Sequence, residues 1–377
     1  MADGLGRLGV GRGLALFAVA ASFGVLIAWP LGRLAVEALG GGLAPILAAL
    51  EPESVAAIGN SLWVATAVMV LALAGGLALA LLTEHARVPG RGLLMIGIAL
   101  PLLVPDFVSA LGWTRAFGPG GLLDRAAGIE LPGLYGPAGI VLVLASGAIP
   151  LAYLLIVGGM RSRSEPDLDR AARISGADRL TALRTVSLPL LWPVIAAAGG
   201  LIFATTMNTF GTPAVLGRPA GFSTMTTRIY SDLAFSSSDA AFERVIGLAF
   251  LLVALVVAAV VITDRLGPAE AARASVAGPG LDAGPAGWLP LTLAWAFLAM
   301  TVFVPLGALL LTALTRAVGL PPLPEHLTLA NFGRAIDSRT LPALINSLLL
   351  AGMAAVLCVA LGAAAAIAPS GRWRRRW

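Results

Sequence analysis

Long apolar stretches alternate along the chain with short polar or Arg-bearing segments, and eight of them are long enough to span a bilayer. They fall near 13–32, 58–82, 93–114, 137–160, 190–215, 245–263, 288–315 and 345–368. A helix needs about 20 apolar residues to cross about 30 Å of hydrocarbon. The pattern therefore predicts an all-α fold, a polytopic membrane helix bundle of about eight transmembrane helices. Arg7 and Arg12 precede the first stretch as they would in a signal peptide, but the run continues through Ile27, Ala28 and Trp29 without a clear small-residue cleavage site. An uncleaved first helix is expected. Pro30, Pro101, Pro105, Pro150, Pro193 and Pro305 lie inside or at the ends of these stretches. Each frees a backbone carbonyl that a neighbouring helix or a water-filled cavity must satisfy.

Composition agrees with a lipid-embedded chain. Of 377 residues, 58% are apolar and 12% charged, against roughly 45–50% and about 25% in soluble domains. The mean hydropathy of +0.91 excludes a water-soluble enzyme, a disordered tail and a secreted disulfide scaffold. One cysteine, Cys358, and two distant histidines, His85 and His326, give no metal-ligand spacing, so no cofactor is expected in this chain. All 25 basic residues are Arg and the net charge is +5. Because they sit between apolar runs, they read as a topology signal on a lipid bilayer and not as a nucleic-acid surface. With the N-terminus inside, sixteen arginines fall on inner segments and nine on outer ones, which places both termini in the cytoplasm. The 45 glycines suit close helix packing in lipid, and equally a compositional bias of the genome.

The inner segment between the fourth and fifth stretches, 161–188, is the most densely charged, reading RSRSEPDLDRAARISGADRLTALRTVSL. It predicts two short helices. Ser164 can cap the first, with Glu165, Asp167 and Asp169 in or near its first turn. Gly176 breaks the run, and a second helix begins near Asp178, with Leu180, Leu183 and Val186 close to one face. Such a basic hairpin with one apolar stripe suits either a partner protein surface or an interfacial position on anionic lipid.

Ala171 and Ala172, three residues, Gly176, nine residues to Val186, then Leu188 and Pro189, resemble the EAA loop of binding-protein-dependent ABC transporter permeases. The pattern departs at the Glu position, where Arg170 stands, and conservatively at the Ile position, where Val186 stands. The resemblance implies that 161–188 is a coupling loop that docks on a cytoplasmic ATPase subunit through Arg170, Ala171, Ala172, Gly176, Leu180, Leu183, Leu188 and Pro189. It also implies a periplasmic substrate-binding protein that delivers the solute. ATP would bind the partner subunit, since this chain has no Gly-rich phosphate loop ending in Lys and no Lys at all.

Phe210-Gly211-Thr212-Pro213 and Thr226-Thr227-Arg228-Ile229-Tyr230 resemble the ferric-iron-type branch, in which two permease halves are fused. Pro305-Leu306-Gly307 repeats Pro30-Leu31-Gly32, and Asn346-Ser347-Leu348 repeats Asn60-Ser61-Leu62, each opening an apolar helix. The expected organisation is a first half over 1–266, an Ala/Gly/Pro-rich linker over 267–287 and a partial second half over 288–377. By that spacing the second coupling loop would lie beyond Trp377. The expectation is thus a truncated fused permease that needs a second permease chain or is inactive.

Polar residues inside apolar runs are candidates for lining a path. Asp106 is the one acidic residue well inside a stretch, with a path or gating contact as its functional role and a pair with Arg115, or a place nearer the outer interface, as the structural alternatives. Thr205, Thr206, Asn208 and Thr212 cluster late in the fifth, where interhelical hydrogen bonding is their structural role. The function expected is the permease subunit of an ATP-driven importer in a bacterial inner membrane, for ferric iron or another small solute, and not an enzyme. An ion-driven secondary transporter is the alternative, but it would place more ionisable groups at mid-membrane.

Overall fold

The computed structural model describes residues 17, 19–40, 42, 44–85, 91–163, 174–176, 178, 181, 183–266, 288–337 and 339–367. Its helices, in chain order, are α1 (Val19–Gly40), α2 (Ala44–Ala49), α3 (Pro52–His85), α4 (Arg91–Ala99), α5 (Asp106–Phe117), α6 (Leu122–Ala127), α7 (Pro137–Arg163) and α8 (Leu188–Met207). There follow α9 (Gly211–Leu216), α10 (Met225–Phe235), α11 (Asp239–Leu266), α12 (Trp288–Leu298), α13 (Val304–Ala313), α14 (Ala330–Ala335) and α15 (Thr340–Ile367). No strand occurs among the described residues beyond one isolated bridge, Thr315 with Leu327. The fold is an all-α polytopic bundle. Among the described residues, seven spans are long and apolar enough to cross a membrane: α1, α3, α7, α8, α11, Leu291–Ala313 across α12 and α13, and α15.

The third apolar stretch departs from a single straight helix. Gly92–Leu103 and Asp106–Ala127 meet at 103°, a broken span or a re-entrant loop. Proline sets the break. Val104 precedes Pro105 and is extended, at φ −89° and ψ 120°, because the proline ring disfavours α geometry in the residue before it. The fifth stretch also ends sooner than expected. Helix α8 closes at Met207 with tightened turns, Asn208 N–H to Thr205 O and Thr209 N–H to Thr206 O, and the chain restarts as α9. Pro213, in the first turn of α9, has no N–H with which to bond back to Thr209, so it fits a start and not a continuation.

Three prolines mark π turns. Gly24–Ala28, Leu183–Ser187 and Ala299–Phe303 are each five residues long and end two residues before Pro30, Pro189 and Pro305. A proline inside a helix removes one donor and crowds the carbonyl four residues back, and a wider turn relieves both. Both Pro-Leu-Gly repeats therefore share local geometry. Asn60 and Asn346 lie in the early turns of α3 and α15 and do not open them, since α3 already starts at Pro52. Proline is well suited to a helix start.

The described residues form two compact units, Leu43–Leu327 and the end segments to Gly42 and from Thr328. In the larger unit α3 packs along α7, α8 lies on α3, α7 and α11, and α13 lies on α5. Gly76 explains the closest approach of α3 to α7, since a Cβ there would sit 2.5 Å from Ala152 Cβ and 2.8 Å from the Tyr153 backbone nitrogen. At this position the small residue is a packing requirement. Tyr153 is fully buried beside it, and its hydroxyl lies 3.1 Å from Thr83 Oγ1, so the ring is buried without an orphaned polar atom. In the other unit, α15 is exposed along its described length except near Leu361. Asp337 Oδ1 caps α15 by accepting from Thr340 N–H at 2.7 Å.

Candidate functional site

The break before α5 and the gap after α8 lie together, and a cavity of about 210 Å³ opens between them. Asp106 is the first residue of α5 and, among the described residues, the only charged side chain lining the cavity. Its Oδ2 is 3.4 Å from Thr209 Oγ1, and its backbone oxygen accepts from Thr212 Oγ1 at 3.2 Å. Asp106 forms no ion pair with Arg115, although both are described. The hydroxyls of Thr205, Thr206, Thr209 and Thr212 come from the end of α8 and the start of α9. Ser109 on α5, Ser146 on α7 and Thr301 in the π turn before α13 complete the polar lining.

Four of the five polar residues singled out in the apolar runs thus meet at one cavity: Asp106, Thr205, Thr206 and Thr212. Asn208 does not line it, and its Nδ2 donates to Ala204 O of its own helix at 2.8 Å. Sequence reasoning missed Ser109, Ser146, Thr209 and Thr301. Thr209 was within reach of the pattern, one helical turn beyond Thr205. The prolines gave a further signal, since Pro101 and Pro305 line the cavity, Pro105 precedes Asp106, and Pro150 lies four residues after Ser146.

The basic segment 161–188, expected to form a hairpin, leads into α8. Arg170, Ala171, Ala172 and Leu180 fall outside the described residues. Gly176 has φ +88°, a left-handed conformation, with open space where a Cβ would stand. Glycine is the residue that adopts it without strain. Asp178 caps the turn that follows, accepting from Thr181 N–H at 2.9 Å, and hydrogen bonding from Thr181 holds its carboxyl below the usual range. Leu183 opens the π turn, and Leu188 and Pro189 begin α8. One 20-residue helix, about 30 Å long, therefore connects the hairpin to the threonines at the cavity.

A second polar cluster joins α10, α11 and the entry to α3. Arg228 Nη1 is 2.5 Å from Glu53 Oε2, and Arg228 Nε is 3.4 Å from Asp232 Oδ2. Arg244 reaches the same Asp232 oxygen at 3.3 Å and Glu51 Oε2 at 3.4 Å. Beside it Asn60 Nδ2 donates to Ser223 O at 2.9 Å, and Ser61 Oγ accepts from Met225 N–H at 2.8 Å. A capping box of Thr224 and Thr227 starts α10. Tyr230 packs against Phe210 with ring centroids 4.9 Å apart. The 226–230 motif thus holds α10 to α3, α11 and the end of α8.

Known proteins resemble this chain in sequence and fold. The chain is 30% identical over 286 residues to the thiamine transport system permease protein ThiP of Brucella abortus, covering 72% of this chain and 49% of that protein. It is 27% identical over 320 residues to the ferric transport system permease protein FbpB of Actinobacillus pleuropneumoniae, covering 81% and 45%. The chain spans about half the length of these curated relatives. Its fold matches a chain of a bacterial alginate ABC transporter, solved with an alginate-bound periplasmic protein, at TM-score 0.53 and 17% identity, over 66% of this chain and 91% of that one. The model of the family described as "binding-protein-dependent transport system inner membrane component" matches residues 73–271, which contain the hairpin, α8 and all but one of the cavity's hydroxyls. This chain belongs to that family.

Proposed function

We propose that the chain forms the membrane path of an ATP-driven importer for a small solute delivered by a periplasmic binding protein. Both termini face the cytoplasm, and ATP binds a partner ATPase subunit that docks on 161–188. The observation that carries this reading is that α8 runs unbroken from the Leu183–Ser187 turn, at the end of the coupling segment, to the cavity at Thr205 and Thr209. A push on the hairpin acts on α8 directly, and α8 ends where the polar lining begins. ATP-driven closure of the ATPase subunits would then open and close the cavity to either side in turn. Ferric iron and thiamine are the solutes named for the two relatives, and a ferric-type cargo is the reading nearest to the motifs at 210–213 and 226–230.

The test is Gly176→Val, made in the chain co-expressed with the ATPase subunit that this reading requires. A β-branched residue at φ +88° costs about 1–2 kcal/mol locally and meets no neighbour, so the bundle should insert normally. Solute-stimulated ATP hydrolysis and uptake should fall at least tenfold, with Gly176→Ala intermediate. Wild-type uptake and unchanged ATPase co-purification in Gly176→Val would overturn the docking assignment.

A further inference from the structure

We propose that the cavity at Asp106 is itself a selective site, one that accepts a cation and rejects an oxyanion; the proposal rests on the importer reading above and adds the charge class of the solute. The relatives and the structural neighbour do not set that class, since ferric iron, thiamine and alginate are all among their cargoes.

The argument starts from the direction of the hydrogen bonds. A hydroxyl has one proton and two acceptor lone pairs. Thr205 Oγ1 donates to Leu201 O at 2.9 Å or Ile202 O at 3.0 Å, Ser146 Oγ to Val143 O at 2.7 Å, and Thr301 Oγ1 to Phe297 O at 2.7 Å. Thr212 Oγ1 donates to Asp106 O, and Thr209 Oγ1 to Thr205 O at 3.1 Å or to Asp106 Oδ2. Five of the seven lining hydroxyls therefore have their protons committed to other groups of the protein; Thr212 is fully buried, and what the other four can offer a guest is lone pairs.

The backbone adds an acceptor of the same kind. Pro150, inside α7, has no N–H with which to engage the Ser146 carbonyl one turn back. Donors are scarce in comparison. Among the described residues no Arg, Asn, Gln, His, Tyr or Trp lines the cavity, which leaves the hydroxyls of Ser109 and Thr206 as its side-chain donors, and the Thr209 N–H is taken by Thr206 O. The positive end of α5, which could otherwise attract an anion, carries Asp106 at its first position and is thereby neutralised.

An oxyanion would exchange its hydration for a wall made mostly of acceptors, with a carboxylate beside it and the Ser109 and Thr206 hydroxyls as its side-chain donors, which disfavours its entry. A cation finds one carboxylate and a set of oxygens at the surface of the same space. At about 30 Å³ per water, 210 Å³ holds roughly seven waters. That is enough for a metal ion with part of its shell, or for the charged head of an organic cation.

Equilibrium binding to the full chain with its ATPase subunit, in nanodiscs of zwitterionic lipid, tests this with Tb³⁺, thiamine and molybdate applied singly. At least one of the two cations should bind saturably, at least tenfold more weakly to Asp106→Asn, with affinity largely restored in Asp106→Glu, and molybdate should not bind. Tb³⁺ binding alone assigns a metal cation, and thiamine binding alone an organic one. Equal cation affinity in Asp106→Asn, no saturable cation binding, or molybdate binding as tight as either cation would overturn the proposal. If Asp106→Asn fails to insert, Thr205→Val with Thr209→Val removes two acceptors and keeps the charge. Unchanged cation affinity in that double variant overturns the proposal as well. ATPase co-purification from the same samples reads the importer hypothesis separately. Its loss with Asp106-dependent binding intact defeats the importer reading alone, and the reverse defeats the cavity proposal alone.

Discussion

Asp232 and Asp106 are both carboxylates placed where helices meet, yet their surroundings differ. Asp232 is 7% exposed and lies between Arg228 and Arg244, which have Glu53 and Glu51 as further partners. Asp106 is solvent-accessible, with one hydroxyl at 3.4 Å and a cavity before it. In the first cluster every charge is paired, and Arg228 and Arg244 reach Glu53 and Glu51 on the far-off entry to α3, so the cluster works as a joint. In the second the acceptors are turned toward empty space, so it works as a receptor. Polar groups in an apolar bundle can hold helices together or wait for a guest, and which they do is read from where their hydrogens go.

The largest break in this comparison is expected from Asp232→Ala. It removes the carboxylate that two guanidinium groups share, and Glu53 and Glu51 are too exposed to replace it fully. Breaking a buried pair costs about 3–5 kcal/mol, and a loss near the lower end is expected. A fall in thermal midpoint of the detergent-solubilised protein measures it, with cation binding at the cavity unchanged per folded molecule. A smaller effect is expected from Thr226→Val, because Thr226 Oγ1 donates to Thr209 O at 2.8 Å and so joins the two clusters. Losing one such bond costs about 1 kcal/mol, but it also releases the turn that carries Thr209. A modest drop in midpoint together with a several-fold change in cation affinity is the expected result. Thermal destabilisation with binding untouched would show that the two clusters are independent.

The two clusters were also unequally legible in the sequence. Apolar run lengths suffice for the spans because a helix in lipid must satisfy its backbone internally, and α3, α7 and α11 appear where their runs lie. The breaks were only half visible. Pro105 and Pro213 were on view, but that one would bend a span by 103° and the other would start a new helix depends on the residues before them. Asp106, Thr205 and Thr212 stood out as polar residues in apolar runs, whereas Ser146 and Thr301 were single hydroxyls in distant stretches that only tertiary packing brings together. The ion-pair joint was the least legible. Glu51, Glu53, Asp232 and Arg244 lie in polar loops or at helix ends, where charge needs no explanation, and their partners are up to 193 positions away.

The smallest effect is expected from Thr205→Val, and it sharpens the comparison most. Valine keeps the β-branched shape that the helix already accommodates and removes only the hydroxyl. Its lost bonds run to Leu201 O and Ile202 O of the same helix, carbonyls that α8 also engages through its own ladder. The stability cost should therefore not exceed about 0.6 kcal/mol, the average for polar side-chain contacts in a membrane bundle. At the cavity the same change deletes one acceptor of a set, and cation affinity should fall about threefold at unchanged thermal midpoint. Asp232→Ala should show the opposite pattern, a lower midpoint with affinity intact. Titrating the cation probe against both variants, with melting curves on the same samples, measures the two quantities side by side. A Thr205→Val protein that melts as early as Asp232→Ala would mean that its hydroxyl holds the bundle together. The division between joint and receptor would then fail at the residue where it is drawn most finely.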